Sequence, residues 1–435
     1  MPPRAVVIGG GAIGAASAYY LAQDGWDVTL VERGEVGRGC SYGNACLIVP
    51  SHAHPLPQPG VVGEALRWLL RADSPVYIRP RLDPSLAAWL WRFWRACRPA
   101  AAARAHGALV ALGRLSLALY EDLARTVAQS VFFQRRGLLH VYLGAQAMAH
   151  ARAEQERYAR EGFPGRVLGG DDLRAFEPAL SPRASAGLYL DGEAHGDSFA
   201  FVRALAGAAA ARGARVLTGV TATRIVVRGG RATGVAADGD ELPADAVVLA
   251  AGAWSPALAA SVGLRVPMQP AKGYSCTVRP VGPAPSVPLY VVGRRVAITP
   301  LGDRLRFGGT LELAGYDVRI DARRYGAVVA AAREVLRDDV RWEQEEAWCG
   351  LRPLMPDGLP LIGPVPGIEG AIVATGHAML GFTQAPGTGR IVADLAAGRP
   401  PAVPLAVFRV DRFGPMGRTR DQRRAARGGE GCDGW

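Results

Sequence analysis

Residues 5–14 read Ala-Val-Val-Ile-Gly-Gly-Gly-Ala-Ile-Gly, an apolar run that leads into a G-x-G-x-x-G loop. The run is typical of a buried strand, and the residues after the loop follow a helical pattern that ends at Gly25. A second apolar run, from Asp27 to Val31, leads to Glu32. Strand, glycine loop, helix, strand and acid in this order predict a dinucleotide-binding βαβ unit. The pattern does not distinguish FAD from NAD.

The residues of this unit each suit one part of a dinucleotide. Gly9 permits the tight turn, Gly11 lets backbone N–H groups approach a pyrophosphate, and Gly14 lets the helix pack on the strands. The helix N-terminus adds free N–H donors and the positive end of a dipole. Glu32 suits the hydroxyls of an adenosine ribose and repels a 2′-phosphate, which disfavours NADP. The residues here that we expect to bind the cofactor are Gly9, Gly11, Ala12, Ile13, Gly14, Glu32 and Arg33.

Length and composition indicate a large globular enzyme. The chain has 435 residues, of which 49% are hydrophobic, and its formal net charge is +11. This length suits two domains, or one domain with a large insertion. Arginine supplies the charge, since Lys272 is the only lysine. No arginine cluster alternates with aromatic residues in the body of the chain, so we expect no nucleic-acid partner.

The cysteines and histidines do not predict a metal site. The six cysteines show neither a C-x-x-C motif nor a metal-ligand spacing with histidine. We therefore expect free thiols in a reducing compartment, and a cytoplasmic protein. His52 and His54 fit loop residues better than metal ligands, because no third ligand is near them in the sequence. The uncharged runs at residues 5–23 and 246–264 are explained by the nucleotide loop and by a strand with a glycine turn.

Two other segments have distinctive compositions. Residues 86–94 read Leu-Ala-Ala-Trp-Leu-Trp-Arg-Phe-Trp, and this helical stretch either packs against the body of the protein, which we favour, or contacts a membrane surface. In the second case the protein would be peripheral at the inner face of the cell membrane. Residues 414–435 are rich in arginine and glycine and poor in apolar residues, which predicts a disordered tail.

Further motifs follow the glycine loop in a fixed order: Ser41-Tyr-Gly-Asn-Ala45, Ala251-Gly-Ala-Trp-Ser255, Gly350-Leu-Arg-Pro353 with Pro356-Asp-Gly358, and Gly376-His-Ala-Met-Leu-Gly381. Together these motifs resemble the FAD-dependent D-amino-acid oxidase superfamily, and within it bacterial D-amino-acid dehydrogenases. The resemblance covers residues 4–413. The chain departs from the family pattern at Cys46, where glycine is usual.

The resemblance implies an α/β fold with a Rossmann-like FAD-binding domain and a discontinuous α+β substrate domain built on a mixed antiparallel sheet. We expect the FAD-binding domain to comprise residues 1–60, 165–265 and 347–413. Residues 61–164 and 266–346 would form the substrate domain.

The resemblance also implies an extended FAD, held at both ends of the chain. Cys349 is offset from the position at which some relatives attach flavin, so we expect non-covalent FAD. The helix that starts near Gly381 would point its N-terminus at the pyrimidine end of the flavin. The further cofactor contacts that the resemblance implies are Ser41, Asn44, Ala45, Val220, Ala251, Gly252, Gly376, His377, Leu380, Gly381, Phe382 and Thr383.

The activity that the resemblance implies is oxidation of the Cα–N bond of D-amino acids. Hydride transfer to flavin N5 would give an imino acid, then a keto acid and ammonia, and a quinone or carrier would take the electrons. Arg352 would bind the substrate carboxylate, because a guanidinium forms two parallel hydrogen bonds with it. We assign His377 and Tyr274 as further catalytic candidates, and His52 and Tyr290 as substrate contacts.

Several alternatives stay open at this point. The substrate could be D-proline or a hydroxy-D-proline, or the chain could be a glycine- or sarcosine-type oxidase that uses oxygen. A flavoprotein without amino-acid turnover is a further alternative, which the intact motif around Arg352 disfavours. His377 either touches the flavin or orients its loop, and Lys272 either faces the active site or braces the fold. The oligomeric state is open.

Overall fold

The computed structural model describes residues 1–69 and 76–414. The predicted tail, residues 414–435, therefore lies outside the described residues except for Gly414. Numbered in chain order, the strands are β1 (Arg4–Ile8), β2 (Asp27–Glu32), β3 (Leu47–Ile48), β4 (Val76–Ile78), β5 (Phe133–Gln134), β6 (Leu138–Leu143), β7 (Arg166–Gly169), β8 (Ala184–Leu190), β9 (Ala194–Gly196), β10 (Arg215–Thr218), β11 (Ala222–Arg228), β12 (Arg231–Ala237), β13 (Asp240–Pro243), β14 (Ala246–Leu249), β15 (Gln269–Val281), β16 (Leu289–Val291), β17 (Val296–Leu301), β18 (Arg304–Leu313), β19 (Arg341–Leu354), β20 (Leu361–Pro364) and β21 (Ala371–Thr375). The α-helices are α1 (Ala12–Gln23), α2 (Val61–Leu69), α3 (Pro84–Ala96), α4 (Pro99–Thr126), α5 (Ala147–Arg160), α6 (Gly170–Phe176), α7 (Ser198–Ala210), α8 (Ser255–Ala259), α9 (Ala322–Val335) and α10 (Gly381–Ala396).

The first sheet has the strand order β10-β2-β1-β14-β21-β20. Its strands are parallel except for β20, which pairs antiparallel with β21. Val7, Leu30 and Val248 face a core formed with α1, α7 and α10, whereas Val6 and Val247 face a core that includes residues of β11, β12 and α8. Because both faces are buried, the strands are continuous apolar runs. The predicted Rossmann-like α/β architecture is confirmed.

The second sheet has the order β19-β15-β18-β17-β16-β6-β8-β7, and β4 pairs with β18. Most of its pairs are antiparallel, and β15 and β19 stay paired from Gln269 opposite Leu354 to Val281 opposite Arg341. One face of the sheet packs against α9, with Cys276 and Phe307 in that core. The opposite face meets the loop that follows β2. This mixed sheet is the predicted substrate-domain architecture.

Two predicted domain boundaries differ from the way the strands are divided between the sheets. We expected residues 165–265 in the FAD-binding domain, but β7 and β8 pair with each other and β8 pairs with β6, all in the second sheet. The chain crosses to the first sheet only at β10. Strand β19 likewise begins before the predicted boundary at residue 347, because it pairs with β15 along its whole length.

The tryptophan-rich stretch forms α3, and its two sides differ. Leu86 and Trp89 are buried, and Trp89 Nε1 donates to the carbonyl of Leu354 at 3.1 Å. Trp91 and Trp94 are 53% and 60% exposed. The helix therefore packs against the body, as we favoured, and also presents two indole rings to solvent. None of the helices within residues 1–69 and 76–414 is long and apolar enough to cross a membrane.

Candidate active site

In the glycine loop between β1 and α1, the backbone lies in close contact with neighbouring backbone segments. Gly9 has a φ of +106°, and a Cβ there would lie 2.6 Å from the carbonyl oxygen of Ala250. A Cβ on Gly14 would lie 1.8 Å from the carbonyl oxygen of Gly9. Only glycine fits these two positions. The N-terminus of α1 consequently opens onto a cavity, where Ser41 Oγ accepts the N–H of Ala12 at 2.9 Å.

Glu32 ends β2 beside the same cavity. Its carboxylate accepts the N–H groups of Gly10 at 2.7 Å and Gly34 at 2.9 Å, which fixes its position. The guanidinium carbon of Arg33 lies 3.8 Å from the ring centroid of Trp254, a cation–π contact. Both residues line the cavity. An acid beside flat side chains suits the ribose hydroxyls and the base of an adenosine.

The cavity has a volume of about 520 Å³ and extends from the glycine loop to the N-terminal end of α10. The sequence missed several lining residues, among them Cys40, Trp254 and Leu351. These residues lie within or next to the quoted motifs, and this proximity is the feature of the sequence that could have identified them. The predicted cofactor residues that line the cavity are Gly9, Gly11, Ala12, Ile13, Glu32, Arg33, Ser41, Asn44, Val220, Ala251, Gly252, Gly376, His377, Gly381 and Phe382.

The remaining predicted cofactor residues are set back from the cavity surface. Thr383 Oγ1 donates to the carbonyl of Leu47 at 3.1 Å and so ties α10 to β3. The carbonyl of Ala45 accepts Thr299 Oγ1 at 2.7 Å, which ties the loop to the second sheet. The residues in this group are Gly14, Ala45, Leu380 and Thr383.

His377 lies between β21 and α10 and is 4% exposed. Its Nε2 is 3.0 Å from Thr388 Oγ1 on α10, and burial lowers the pKa of the imidazole to about 3. A neutral imidazole is therefore tied to the helix. His377 also lines the cavity, so its position is compatible with both roles that the sequence left open.

The first turn of α10 faces the cavity through Gly381 and Phe382. Pro386 has no N–H, so the carbonyl of Phe382, four residues earlier, lacks its helical donor. The hydroxyl of buried Tyr120 donates to that carbonyl at 2.6 Å. Helix α4 thereby supports the end of α10 that offers free N–H donors to the cavity.

Arg352 lies on β19, which borders the cavity through Leu351 and Pro353. Its Nη1 donates to the carbonyl of Thr310 at 2.6 Å, and its Nη2 to the carbonyl of Gly309 at 3.4 Å. No carboxylate of the described residues forms an ion pair with it. Burial lowers the pKa of its guanidinium, because the charged form is poorly solvated. Neutral carbonyls leave the positive charge uncompensated and available to an anion.

Two neighbouring strands hold this guanidinium. A Cβ on Gly273 of β15 would lie 2.1 Å from its carbon and both terminal nitrogens, so the group lies flat over the backbone there. On β18, the register with β15 shifts between Lys272 and Tyr274, and Thr310 has a φ of +65°. A β-branched residue rarely adopts this conformation, and bulges of this kind redirect backbone groups. Neither feature can be read from the local sequence.

Tyr274, a predicted catalytic residue, lies on the other face of the second sheet from Arg352. It is fully buried, and its hydroxyl donates to Glu312 Oε2 at 2.8 Å. Lys272 lies on the same face, with its Nζ 3.4 Å from Glu312 Oε2 and donating to the carbonyl of Arg319 at 2.9 Å. Successive residues of a strand point to opposite faces, so Gly273 borders Arg352 and its neighbours do not. Tyr274 therefore does not face Arg352, and Lys272 makes its contacts on the same opposite face.

His52 and Tyr290, the predicted substrate contacts, do lie together. Their ring centroids are 4.6 Å apart, and each is 5.5 Å from the ring of buried His140. The pairing of β6, β16, β17, β18 and β15 places His140 and Tyr290 on the same sheet face as Gly273 and Arg352. Burial lowers the pKa of His52 to about 4, so this cluster is uncharged at neutral pH. His140 was missed, because a histidine in a strand is no signal by itself.

The fold brings two potential ligands close to His54 that are distant from it in the sequence. Ligand atoms of His54, His106 and Glu161 all lie within 4.8 Å of one another. However, Arg157 Nη1 lies 2.7 Å from His54 Nε2, at hydrogen-bond distance. This nitrogen is thus already engaged by a cation, which does not favour a metal ion at the same place.

Comparisons with known proteins agree with this geometry. The sequence model of the FAD dependent oxidoreductase family matches residues 4–395. The chain is 37% identical over 422 residues to a D-amino acid dehydrogenase of Cereibacter sphaeroides, covering 95% of this chain and 96% of that one. It is 38% identical over 423 residues to the D-amino acid dehydrogenase of Paramagnetospirillum magneticum, covering 94% and 99%.

Solved structures with this fold include glycine oxidase from Geobacillus kaustophilus, with a TM-score of 0.75, 26% identity and coverage of 94% of this chain and 99% of that one. L-proline dehydrogenase from P. horikoshii has a TM-score of 0.73 at 19% identity, covering 95% and 98%. The chain belongs to the family of FAD-dependent oxidoreductases.

The residues that line the cavity fit this cofactor. Glu32 offers acceptors for a ribose, and the N-termini of α1 and α10 offer N–H donors at the two ends. Gly39 and Gly252 line the cavity, and a Cβ on either would meet no protein atom within 4 Å. These glycines leave space beside the backbone that an elongated ligand can occupy.

Proposed function

We propose that the protein oxidises the Cα–N bond of D-amino acids to imino acids, which water converts to keto acids and ammonia, and that a quinone or carrier takes the electrons. The observation that carries this proposal is Arg352, which lies on a strand that borders the cofactor cavity. Neutral carbonyls hold its guanidinium, and no described carboxylate neutralises it. The names of the relatives in Cereibacter and Paramagnetospirillum support the D-amino-acid class.

Each part of the site has a task in this reaction. When bound, FAD supplies the acceptor for the two electrons and the hydrogen that leave Cα. Arg352 binds the substrate carboxylate through two hydrogen bonds and so fixes the orientation of Cα. The carbonyls of Gly309 and Thr310 keep the guanidinium in place without neutralising it. No strong general base is needed if the amine binds in its neutral form.

We assign the substrate side chain to the face of the second sheet that carries His52, His140 and Tyr290. Their rings form an uncharged wall, since burial lowers the pKa of His52 to about 4 and that of His140 well below its ordinary value. Such a wall favours neutral over charged D-amino acids. His377 would position the loop at the flavin end through Thr388.

The cavity and the two sheets support a set of cofactor contacts and a domain division. The cavity-lining residues would bind FAD without a covalent bond, with Glu32 at the ribose and the α10 N-terminus at the flavin. The first sheet would form the FAD-binding domain and the second sheet the substrate domain, so residues 166–190 would belong to the latter.

Anaerobic bleaching of the flavin absorbance tests the function. We expect neutral D-amino acids to bleach the flavin and their L-enantiomers to fail. Arg352→Ala should lower kcat/KM at least 100-fold. Arg352→Lys keeps the charge but loses the bidentate geometry, so its kcat/KM should lie between those of Arg352→Ala and the unchanged protein. Unchanged turnover in Arg352→Ala would remove this residue from its role.

Two alternatives share the same site. Glycine oxidase and L-proline dehydrogenase have this fold, so glycine, sarcosine and the prolines belong in the substrate panel. Peroxide formation as fast as dye reduction would point to oxygen rather than a quinone as the acceptor.

Peripheral membrane contact is a separate part of the proposal. Trp91 and Trp94 expose indole rings, and the Arg95 guanidinium lies over the Trp91 ring at 4.7 Å. Indoles with an arginine suit the interface of an anionic bilayer. Co-sedimentation with phosphatidylglycerol vesicles should fall in the double variant Trp91→Ala/Trp94→Ala. Equal sedimentation of the variant and the unchanged protein would contradict the contact.

A further inference from the structure

A second cavity, of about 210 Å³, lies between α4, β5 and the turn that precedes β9. Its charged lining residues are Arg114, Arg135, Asp191 and Glu193, and Leu117 and Phe163 supply apolar walls. It shares no lining residue with the cofactor cavity. The proposed reaction therefore makes no use of it.

Glu193 is the unusual group here. It is 1% exposed, and its Oε1 accepts the N–H of Ser51 at 3.1 Å. Its Oε2 is buried and has no hydrogen-bond partner in the described part of the chain. A buried acceptor without a donor is costly, so a ligand whose donor reached this oxygen would relieve that cost.

Burial raises the pKa of Glu193 to about 7, and the charges of the two arginines at this cavity oppose that rise without pairing with the group. Arg135 Nη1 pairs with Glu121 at 2.6 Å, and Arg114 Nη2 donates to the carbonyl of Gly162 at 3.0 Å. Neither forms an ion pair with Glu193 within the described residues. The cavity of about 210 Å³ is thus lined by one carboxyl group and by two guanidiniums that form no ion pair with it.

We propose that this cavity binds a free α-amino acid as a zwitterion, with its ammonium group on Glu193 and its carboxylate between Arg114 and Arg135. Charge-assisted hydrogen bonds form at both ends of such a ligand. Leu117 and Phe163 would provide apolar contacts for the side chain of the ligand. A simple anion would leave Glu193 without a donor, and an amine would leave the guanidiniums without a carboxylate.

The position of the cavity links it to the proposed active site. Through Ser51, Glu193 holds the short 3₁₀ helix Pro50–His52, and the ring of His52 packs on Tyr290. A ligand on Glu193 therefore acts on the segment that carries a proposed substrate contact. The concentration of the free amino acid would therefore influence substrate binding in the active site through this helix.

Isothermal titration of the FAD-loaded protein with L-alanine, acetate and methylammonium tests the proposal. L-alanine should bind more tightly than either fragment. Glu193→Gln and Arg135→Ala should each weaken L-alanine binding at least tenfold, while Arg136→Ala, which removes a neighbouring arginine outside the cavity lining, should not. Arg352→Ala should also leave this binding unchanged, because the site is separate.

Two results of these titrations would overturn the proposed amino-acid site. Loss of L-alanine binding in Arg352→Ala would place the ligand in the active site and overturn the proposal. Equal affinity for acetate and L-alanine would reduce the cavity to an anion site and also overturn it. If Glu193→Gln does not fold, Arg114→Ala and Arg135→Ala decide, since both arginines lie at the surface. If Arg352→Ala still turns over D-amino acids, the proposed function is contradicted, but the proposed amino-acid site in the second cavity is not.

Discussion

Replacing Gly273 with alanine would test how Arg352 is held. The added Cβ would lie 2.1 Å from the guanidinium, whereas ordinary contact begins at 3.4 Å, so the group must retreat by about 1.3 Å. Gly273 does not have a positive φ, and alanine therefore suits the backbone of β15. The retreat disrupts the hydrogen bonds to Gly309 and Thr310. Hydrogen bonds to charged groups contribute about 1.5–3 kcal/mol, which corresponds to a fall in kcat/KM of about 10- to 150-fold.

Steady-state kinetics with a dye acceptor and a D-amino acid would measure this loss, which we expect mainly in KM if substrate binding is weakened uniformly. Gly326→Ala, on the exposed side of α9 where a Cβ meets no atom, is the matched control. In an Arg352→Ala background, Gly273→Ala should cause no further loss, because the clash has lost its partner. If the fold-losses in kcat/KM of the two single variants multiply in the double variant, the reasoning is refuted.

Three further predictions concern the cofactor end of the site. Tyr120→Phe removes the donor that replaces the missing N–H of Pro386, so the free energy of unfolding should fall by about 1–3 kcal/mol in denaturant titrations. Glu32→Ala removes the acceptor of two backbone N–H groups beside the proposed ribose, and FAD affinity, followed by flavin fluorescence, should fall at least tenfold. The pKa of His377 is about 3 in the folded protein and 6.5 ordinarily, so the unfolded chain binds protons more readily. The contribution of the neutral imidazole to stability is therefore present above pH 6.5 and is lost as the pH falls toward 3. In His377→Asn, the free energy of unfolding measured in urea should depend less on pH between 7 and 5.

The nucleotide half of the site could be predicted because its parts are close in the sequence. Gly9, Gly14 and Glu32 lie in one βαβ unit, and each has a conformational or hydrogen-bonding reason that holds in any such unit. Both faces of the first sheet are buried, so its strands appear as continuous apolar runs. The α/β class was accordingly identified correctly, and the later motifs, through their resemblance, identified the FAD-dependent family.

The substrate half depends on three strands that are distant in the sequence. Arg352 could be singled out by its motif, but Gly273, Gly309 and Thr310 could not be assigned to it without the register of the sheet. Tyr274 shows the sensitivity of this register, because a shift of one residue moves a side chain to the opposite face. The domain boundary predicted at residue 165 differs from the sheet pairing for a related reason, since nothing in the composition of β7 and β8 says which sheet they join.

The charge balance around Arg352 explains why the fold maintains an unfavourable conformation at Thr310. A carboxylate partner would hold the guanidinium more strongly, but it would also neutralise the charge that attracts a substrate carboxylate. Carbonyl dipoles fix the orientation and leave the net charge unchanged. Aiming two carbonyls from one strand at a single guanidinium requires a bulge, and a threonine at a φ of +65° costs about 1–3 kcal/mol. The strain at Thr310 is therefore connected with an arginine that no carboxylate of the described residues neutralises, as its proposed role requires.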